Sequence, residues 1–375
     1  MAIGSRQIDR KKTRQIQVGG VKVGGLAPIS VQSMTNTFTH DVAKTVSQIK
    51  RLQAAGCEIV RVAVPDDASA SAIAAIKRQV SIPVIADIHF NHQLAVASAE
   101  SGADGLRINP GNIGAKRKVK AVVDSAKAHG IPIRIGVNSG SVEKKLLEKY
   151  GGATAEAMVE SALRNLEFIR SFGFEDVKVS IKASDVWRTL ESYRLFASRS
   201  DVPLHVGVTE AGGLFPGIVK SSLGIGMLLA EGIGDTIRVS LTRDPVEEVR
   251  VGYEILKSLG IRQRGPEIIS CPTCGRCHID LFHIADEIEA AILDKTVPMK
   301  IAIMGCVVNG PGEAREADIG IAGGEGKGAL FKKGKVVKTF PQEKLVEVLL
   351  EEIARFEQAY QKNRKLRVVS DEINI

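Results

Sequence analysis

Four of the five cysteines in this 375-residue chain crowd its last third, in two patches. One reads Cys271-Pro272-Thr273-Cys274-Gly275-Arg276-Cys277; the other sets Cys306 ahead of Asn309-Gly310-Pro311-Gly312-Glu313. Two thiols separated by two residues can both reach one metal centre, because the intervening turn aims them at a common point. A third soft ligand arriving from far downstream closes such a site, and thiolates select zinc, copper(I) or iron–sulfur clusters. Zinc more often shows two separated C-x2-C pairs, and the second patch holds a single cysteine. The pattern therefore favours iron–sulfur. By spacing alone Cys277 is the natural fourth ligand, in a C-x2-C-x2-C run with a remote cysteine. Glu313 on the same ground is an ordinary surface carboxylate. Cys57, after Gly56 at a helix-to-strand junction, reads as a small packed residue.

A second set of residues repeats in phase. Arg61-Val62-Ala63-Val64, Arg107-Ile108-Asn109, Arg134-Ile135-Gly136-Val137-Asn138 and Arg238-Val239-Ser240 share one local form, and Lys178-Val179-Ser180-Ile181-Lys182 follows it. Side chains alternate across a strand. If the branched residues face covering helices, Arg61, Arg107, Arg134, Lys182 and Arg238 point the other way, with Asn109, Asn138 and Ser240 at the carboxyl ends. Inward carboxylates are few, Asp87 and Glu210 being the clearest. Unpaired buried charge is costly, so a multiply charged anion is expected there. Arginine forks suit phosphate oxygens, and a diphosphate fits best.

The elements that must position these residues alternate. Strands are expected at Ile29–Met34, Ile59–Val64, Pro83–Asp87, Gly105–Asn109, Ile133–Val137, Val177–Ile181, Leu204–Val208 and Thr236–Ser240. Helical patterns such as Val42–Ala55, Ala68–Gln79, Gln93–Ser101, Ala115–Ala128 and Ala155–Ser171 lie between them. Eight strand–helix units in this length predict an α/β fold, a (β/α)8 TIM-type barrel whose active site lies at the carboxyl ends of the strands. No G-x-G-x-x-G follows the first strand, which argues against an open dinucleotide-binding sheet. The pattern changes around Gly260–Gly265. The barrel is assigned to residues 1–262 and a small α+β domain to 263–375, with a helix near Ile279–Asp294, strands at Lys300–Met304, Asp318–Ala322 and Val336–Phe340, and a last helix over Gln342–Gln361. Lys332 to Lys335 reads as a hairpin turn around Gly334.

Composition sets outer limits. Aromatics are 4%, too few for a base-stacking surface, and the net charge of +8 suits an anionic substrate or an acidic protein partner better than nucleic acid. No run approaches the roughly 18 apolar residues of a membrane span. The polar, basic opening Met1–Arg14 has no apolar core of a signal peptide. A cytoplasmic protein is expected, where clustered thiols stay reduced and do not pair as disulfides.

These motifs together resemble the 4-hydroxy-3-methylbut-2-enyl diphosphate synthase family of the methylerythritol phosphate route to isoprenoids. The likeness rests on Val31-Gln32-Ser33-Met34-Thr35-Asn36-Thr37, Leu106-Arg107-Ile108-Asn109-Pro110-Gly111-Asn112, Gly207-Val208-Thr209-Glu210-Ala211-Gly212, Cys271-Pro272-Thr273-Cys274-Gly275-Arg276 and Asn309-Gly310-Pro311-Gly312-Glu313. It covers essentially the whole chain. The resemblance implies an iron–sulfur oxidoreductase with one 4Fe-4S cluster per subunit, held by Cys271, Cys274, Cys306 and Glu313, with Cys277 outside the set. It also implies reductive ring opening of 2-C-methyl-D-erythritol 2,4-cyclodiphosphate, reduced flavodoxin or ferredoxin as electron donor, and a homodimer. On that basis Glu210 is the candidate proton donor, with Asp87, His89 and Asn138 as its neighbours; His89 is alternatively a phosphate ligand. Two other readings stand beside it: a reductase of another phosphorylated alcohol on the same architecture, and a zinc-ribbon module binding RNA. The scarce aromatics and the missing second C-x2-C pair speak against the latter.

Overall fold

The computed structural model describes residues 8–277, 279–306, 312, 314–324 and 326–373. The chain divides into two compact units, one ending at Arg262 and one beginning at Gln263.

In the first unit eight parallel strands run Ser30–Met34, Ile59–Ala63, Val84–Asp87, Gly105–Ile108, Ile133–Asn138, Val177–Lys182, His205–Val206 and Thr236–Ile237. Each pairs with the next in sequence up to the sixth, and the eighth pairs with both the seventh and the first. A parallel bridge between Val179 and Leu204 joins the sixth to the start of the seventh and completes the circle. The expected barrel is present, with the last two strands cut to two residues each.

Alternation explains what the strands bury. Val60 and Val62, Ile133, Ile135 and Val137, and Val177, Val179 and Ile181 all face outward into one core shared with the surrounding helices. Burying each such side chain contributes about 1.5–3 kcal/mol. The helices start where a short polar side chain takes up a free backbone N–H: Asp41, Asp66, Thr154 and Asp185 each accept from the residue three positions on. Asp41, Asp66 and Asp185 lie in the loops directly after strands, so these three also fix the end of the barrel where its site is expected.

One element was not expected. Ile16–Val18 and Val21–Val23 form an antiparallel hairpin about Gly19 and Gly20, and Ile16, Val18 and Val23 pack on Ile59 and Ile85. Ile59 opens its strand and Ile85 follows one residue into its own, so the hairpin closes the amino-terminal mouth. Alternating apolar residues flanking Gly-Gly are a hairpin signature.

The second unit is a five-stranded sheet in the order Pro266–Ser270, Met299–Met304, Ile319–Gly324, Lys327–Lys332, Lys335–Pro341. Its first three strands are parallel and the rest antiparallel. Helix Leu281–Ile292 and the start of helix Leu345–Ile373 cover one face through Ile284, Ile288, Leu349 and Ile353, against Ile301, Ile303, Ile319 and Ile321. Lys333 and Gly334 both take left-handed backbone and make the tight turn between the last two strands. Strands Pro266–Ser270 and Lys327–Lys332 went unrecognised in sequence, the latter because glycine and lysine dilute its apolar pattern. Among the described residues no helix is long and apolar enough to cross a membrane.

Candidate active site

Register brings the basic residues together. Asp87 pairs across with Arg107, Arg107 with Arg134, and Arg134 with Lys178, on four successive strands. Their side chains converge inside the barrel. Arg107 Nη1 donates to Asp87 Oδ1 at 3.0 Å, and Arg61 Nε stands 3.5 Å from Asp87 Oδ2. Burial alone would raise the Asp87 carboxyl, but Arg61, Arg107 and Arg134 outweigh it and hold the group at about 2. Burial in turn lowers Arg61 to about 10 against the pull of Asp87, and pushes Arg134 and Lys182 well below their ordinary values, helped by neighbouring cations.

Two glycines make room for this crowd. A Cβ on Gly136 would come within 2.6 Å of Arg107 Nε, and one on Gly207 within 2.6 Å of Lys182 Nζ and 2.3 Å of the Arg238 carbonyl oxygen. Both lie on the inner face, where a side chain would displace a cation.

The inward carboxylates are as few as expected, but the choice of the second needs a correction. Glu210 does not serve as one: it is exposed, on left-handed backbone with φ 53°, a conformation costing a non-glycine residue about 1–2 kcal/mol. The second carboxylate is instead Glu248, buried on helix Pro245–Ser258. It lies 3.3 Å from Arg238 Nε and accepts from Ser33 Oγ and the Leu241 N–H. In sequence Glu247-Glu248 looks like ordinary acidic first-turn residues, with no local signal separating the two.

Asp87 and Glu248 thus partner Arg61, Arg107 and Arg238. Arg134 and Lys182 have no salt bridge among the described residues, although Arg134 is 2% exposed. Arg134 Nε and Nη1 have no hydrogen-bond partner there either. Among the described residues Lys182 Nζ has only the His205 ring, at 3.4 Å.

The remaining expected residues separate. His89 is exposed at the rim, its ring 3.1 Å from Arg107 Nη1 and 3.8 Å from Asp87 Oδ1; burial lowers its pKa in spite of Asp87. Asn109 is buried and caps the short helix Pro110–Ile113 by accepting from the Gly111 N–H. The Asn138 N–H donates to Ser141 Oγ, and its side chain, like Ser240, is half-buried.

The thiols of the second unit sit at one end of its sheet. Cys271 follows the first strand and donates its N–H to the Ile303 carbonyl of the neighbouring parallel strand; Cys306 lies two residues beyond that strand. Thr273 takes left-handed backbone with φ 65°, and the Cys277 N–H closes a turn onto the Cys274 carbonyl. Cys306 is buried, Cys271 and Cys277 are half-buried and Cys274 is exposed. The Cys277 thiol is engaged locally: it donates to the Ile279 carbonyl at 3.3 Å, and a Cβ on Gly305 would meet its sulfur at 2.6 Å. All are free thiols. Among the described residues no three of His, Cys, Asp and Glu converge on a single ion position. Glu313 lies outside the described residues. Cys57 is inert in the barrel wall, its thiol raised to about 12 by burial.

Both units match known families. Residues 13–253 match the GcpE TIM-barrel domain, and residues 267–355 match the GcpE protein C-terminal domain. The chain is 59% identical over 358 residues to the 4-hydroxy-3-methylbut-2-en-1-yl diphosphate synthase (flavodoxin) of Desulfotalea psychrophila, covering 95% of this chain and 98% of that one. It is 58% identical over 346 residues to the enzymes of the same name from Geobacter sulfurreducens and Caldanaerobacter subterraneus, covering 92% of this chain and 98% of each.

Proposed function

The chain belongs to the GcpE family and makes 4-hydroxy-3-methylbut-2-en-1-yl diphosphate, and on that premise we propose how its own residues do so. The substrate is 2-C-methyl-D-erythritol 2,4-cyclodiphosphate. Two electrons and two protons enter, the ring opens at its carbon–oxygen bond, and one water leaves. Arg61, Arg107, Arg134, Lys182 and Arg238 bind the diphosphate, with Asn109, Asn138, Ser240 and His89 around them.

The observation that carries this assignment is that Arg134 and Lys182 are buried without a carboxylate partner. Charges left uncompensated in a dry interior are strongly attracted to an anion, and they need no reorganisation when it arrives. As the ring opens, a bridging ester oxygen becomes a free phosphate oxygen and the diphosphate gains charge. The clamp therefore favours the opened form over the closed one, which is the differential that lowers a barrier. Asp87 holds Arg61 and Arg107 in place, and Glu248 holds Arg238. Glu210, exposed where the seventh strand's loop begins, donates a proton to the departing hydroxyl.

Cys271, Cys274, Cys306 and Glu313 hold a 4Fe-4S cluster. Free thiols at the ends of two adjacent parallel strands support that choice, since each cysteine of a four-iron cluster binds its own iron and need not converge on one point. When bound, the cluster supplies electrons singly and offers an iron as Lewis acid to a substrate oxygen. Reduced flavodoxin, in the names of the relatives, or ferredoxin is the donor; the net charge of +8 suits such acidic partners. The working form is a homodimer.

Calorimetric titration of the cyclodiphosphate into the cluster-free protein tests the clamp. Arg134→Ala should weaken binding about 10- to 100-fold, the loss of a charge-assisted contact of about 1.5–3 kcal/mol. Equal affinity in variant and wild type would assign Arg134 a structural role instead.

A further inference from the structure

Below the clamp the barrel core is unusually polar. Ser30 and Gln32 of the first strand, Lys178 of the sixth, His205 of the seventh and Thr236 of the eighth are all buried, and each has side-chain atoms without a hydrogen-bond partner among the described residues. TIM-type barrels ordinarily fill these inner layers with branched apolar side chains. Lys178 is the most costly member. It is the second residue of the sixth strand, in register with Arg134, and is 1% exposed with its Nζ without a hydrogen-bond partner among the described residues.

The charges that act on it, Arg134 on the fifth strand and Arg61 on the second, are of its own sign. His205 on the seventh strand feels the same cations, and burial with their help pushes its imidazole well below its ordinary value, toward the neutral form. On the helical side Tyr193 is occupied by the His205 carbonyl and the Ile181 N–H. No carboxylate among the described residues forms a salt bridge with Lys178. An ammonium so placed gives up its proton, and burial, reinforced by Arg134 and Arg61, brings this group down to about 7.

We propose that Lys178 is a sixth cation of the anion site, neutral while no anion is bound and protonated when the diphosphate enters, so that binding draws one proton from solvent. The inference rests on the clamp assigned above. The anion's charge offsets the repulsion from Arg134 and attracts the ammonium itself, and the two together outweigh the burial that kept Lys178 neutral; the proton comes from water, and no other co-reactant is needed. Lys178 acts through Arg134 and is a positioning residue.

The test uses methanedisulfonate, a doubly charged anion with no titratable proton, and calorimetry in buffers of different ionisation enthalpy. At pH 8 the wild type should take up at least about one proton per anion bound, and fewer at pH 6, where more of Lys178 is already charged. Lys178→Met should lower that uptake by about one proton at pH 8 while the anion still binds; uptake that remains in the variant belongs to Lys182, whose own value burial also lowers. Should Lys178→Met fail to fold, Lys178→Arg decides: a side chain that stays charged should lower the uptake by about the same one proton. Uptake as large in the variant as in the wild type overturns the role of Lys178. If binding is nonetheless lost in Arg134→Ala, the clamp stands without it. No binding to the wild type, or binding untouched by Arg134→Ala, overturns the clamp and this inference together.

Discussion

On the proposed function, the barrel interior and the thiol end of the second unit solve the same problem, holding charged ligands in place, by opposite means. In the barrel the functional side chains stand on strands whose register sets Asp87, Arg107 and Arg134 side by side, and buried carboxylates hold three of the five cations. At the thiol end the ligands lie beyond the strands, with Cys274 exposed and Thr273 on left-handed backbone. The first site is organised by the fold before any ligand binds. The second is organised only in part, so the cluster proposed there would have to supply the rest of the order.

The contrast should be plainest when thiols are removed. Cys271→Ser, Cys274→Ser and Cys306→Ser should each lose the cluster and abolish turnover, while anion binding in the barrel is unchanged. Cys277→Ser should keep its iron and sulfide, because that thiol is turned onto Gly305 and the Ile279 carbonyl. Iron and sulfide content after anaerobic reconstitution measures both; a Cys277→Ser protein without cluster beside a Cys306→Ser protein that retains it would reverse the ligand assignment.

A smaller effect is expected from crowding the preorganised site. Gly136→Ala places a methyl 2.6 Å from Arg107 Nε, too close for both to keep their places. The arginine can swing aside, so the fold should lose only about 1 kcal/mol, but substrate affinity should drop about tenfold as Arg107 leaves Asp87. Unaltered affinity would mean that Arg107 need not occupy this position to bind substrate.

The smallest effect concerns pH. The Asp87 carboxyl is held at about 2 in the folded barrel against 3.8 without these neighbours. A depressed folded value gives stability that is complete above the unfolded value and lost as pH falls toward the folded one. From pH 5 to pH 3 the wild type should lose about 1 kcal/mol more than Asp87→Asn in urea unfolding. A gap between the two that does not change with pH would place the carboxylate's stabilising partners elsewhere.

Much of this was legible in the residues themselves. Branched and basic residues alternating at a period of two marked the barrel strands to within a residue or two at most ends, the first helix fell at Val42–Ala55, and the change of pattern fell where the two units divide. The inward phase of Arg61, Arg107, Arg134 and Lys182 followed from alternation alone. Such properties are local: they depend on the backbone's geometry and on the side chains a few positions away.

What only the tertiary structure decided is which groups meet. Glu248 neutralises Arg238 because a helix that follows the eighth strand folds back beside it, and nothing in Glu247-Glu248 says which of the two will turn inward. Asn109 proved to cap a helix as well as border the site, and Glu210 faces solvent where an inward carboxylate was expected. Lys178 shares the phase of Lys182, yet its depth, and the like charges that surround it, exist only once the barrel has closed. Alternation fixes the side of the sheet on which a charge lies; closure of the sheet fixes its partners and its distance from water, and those two quantities set its protonation and its chemistry.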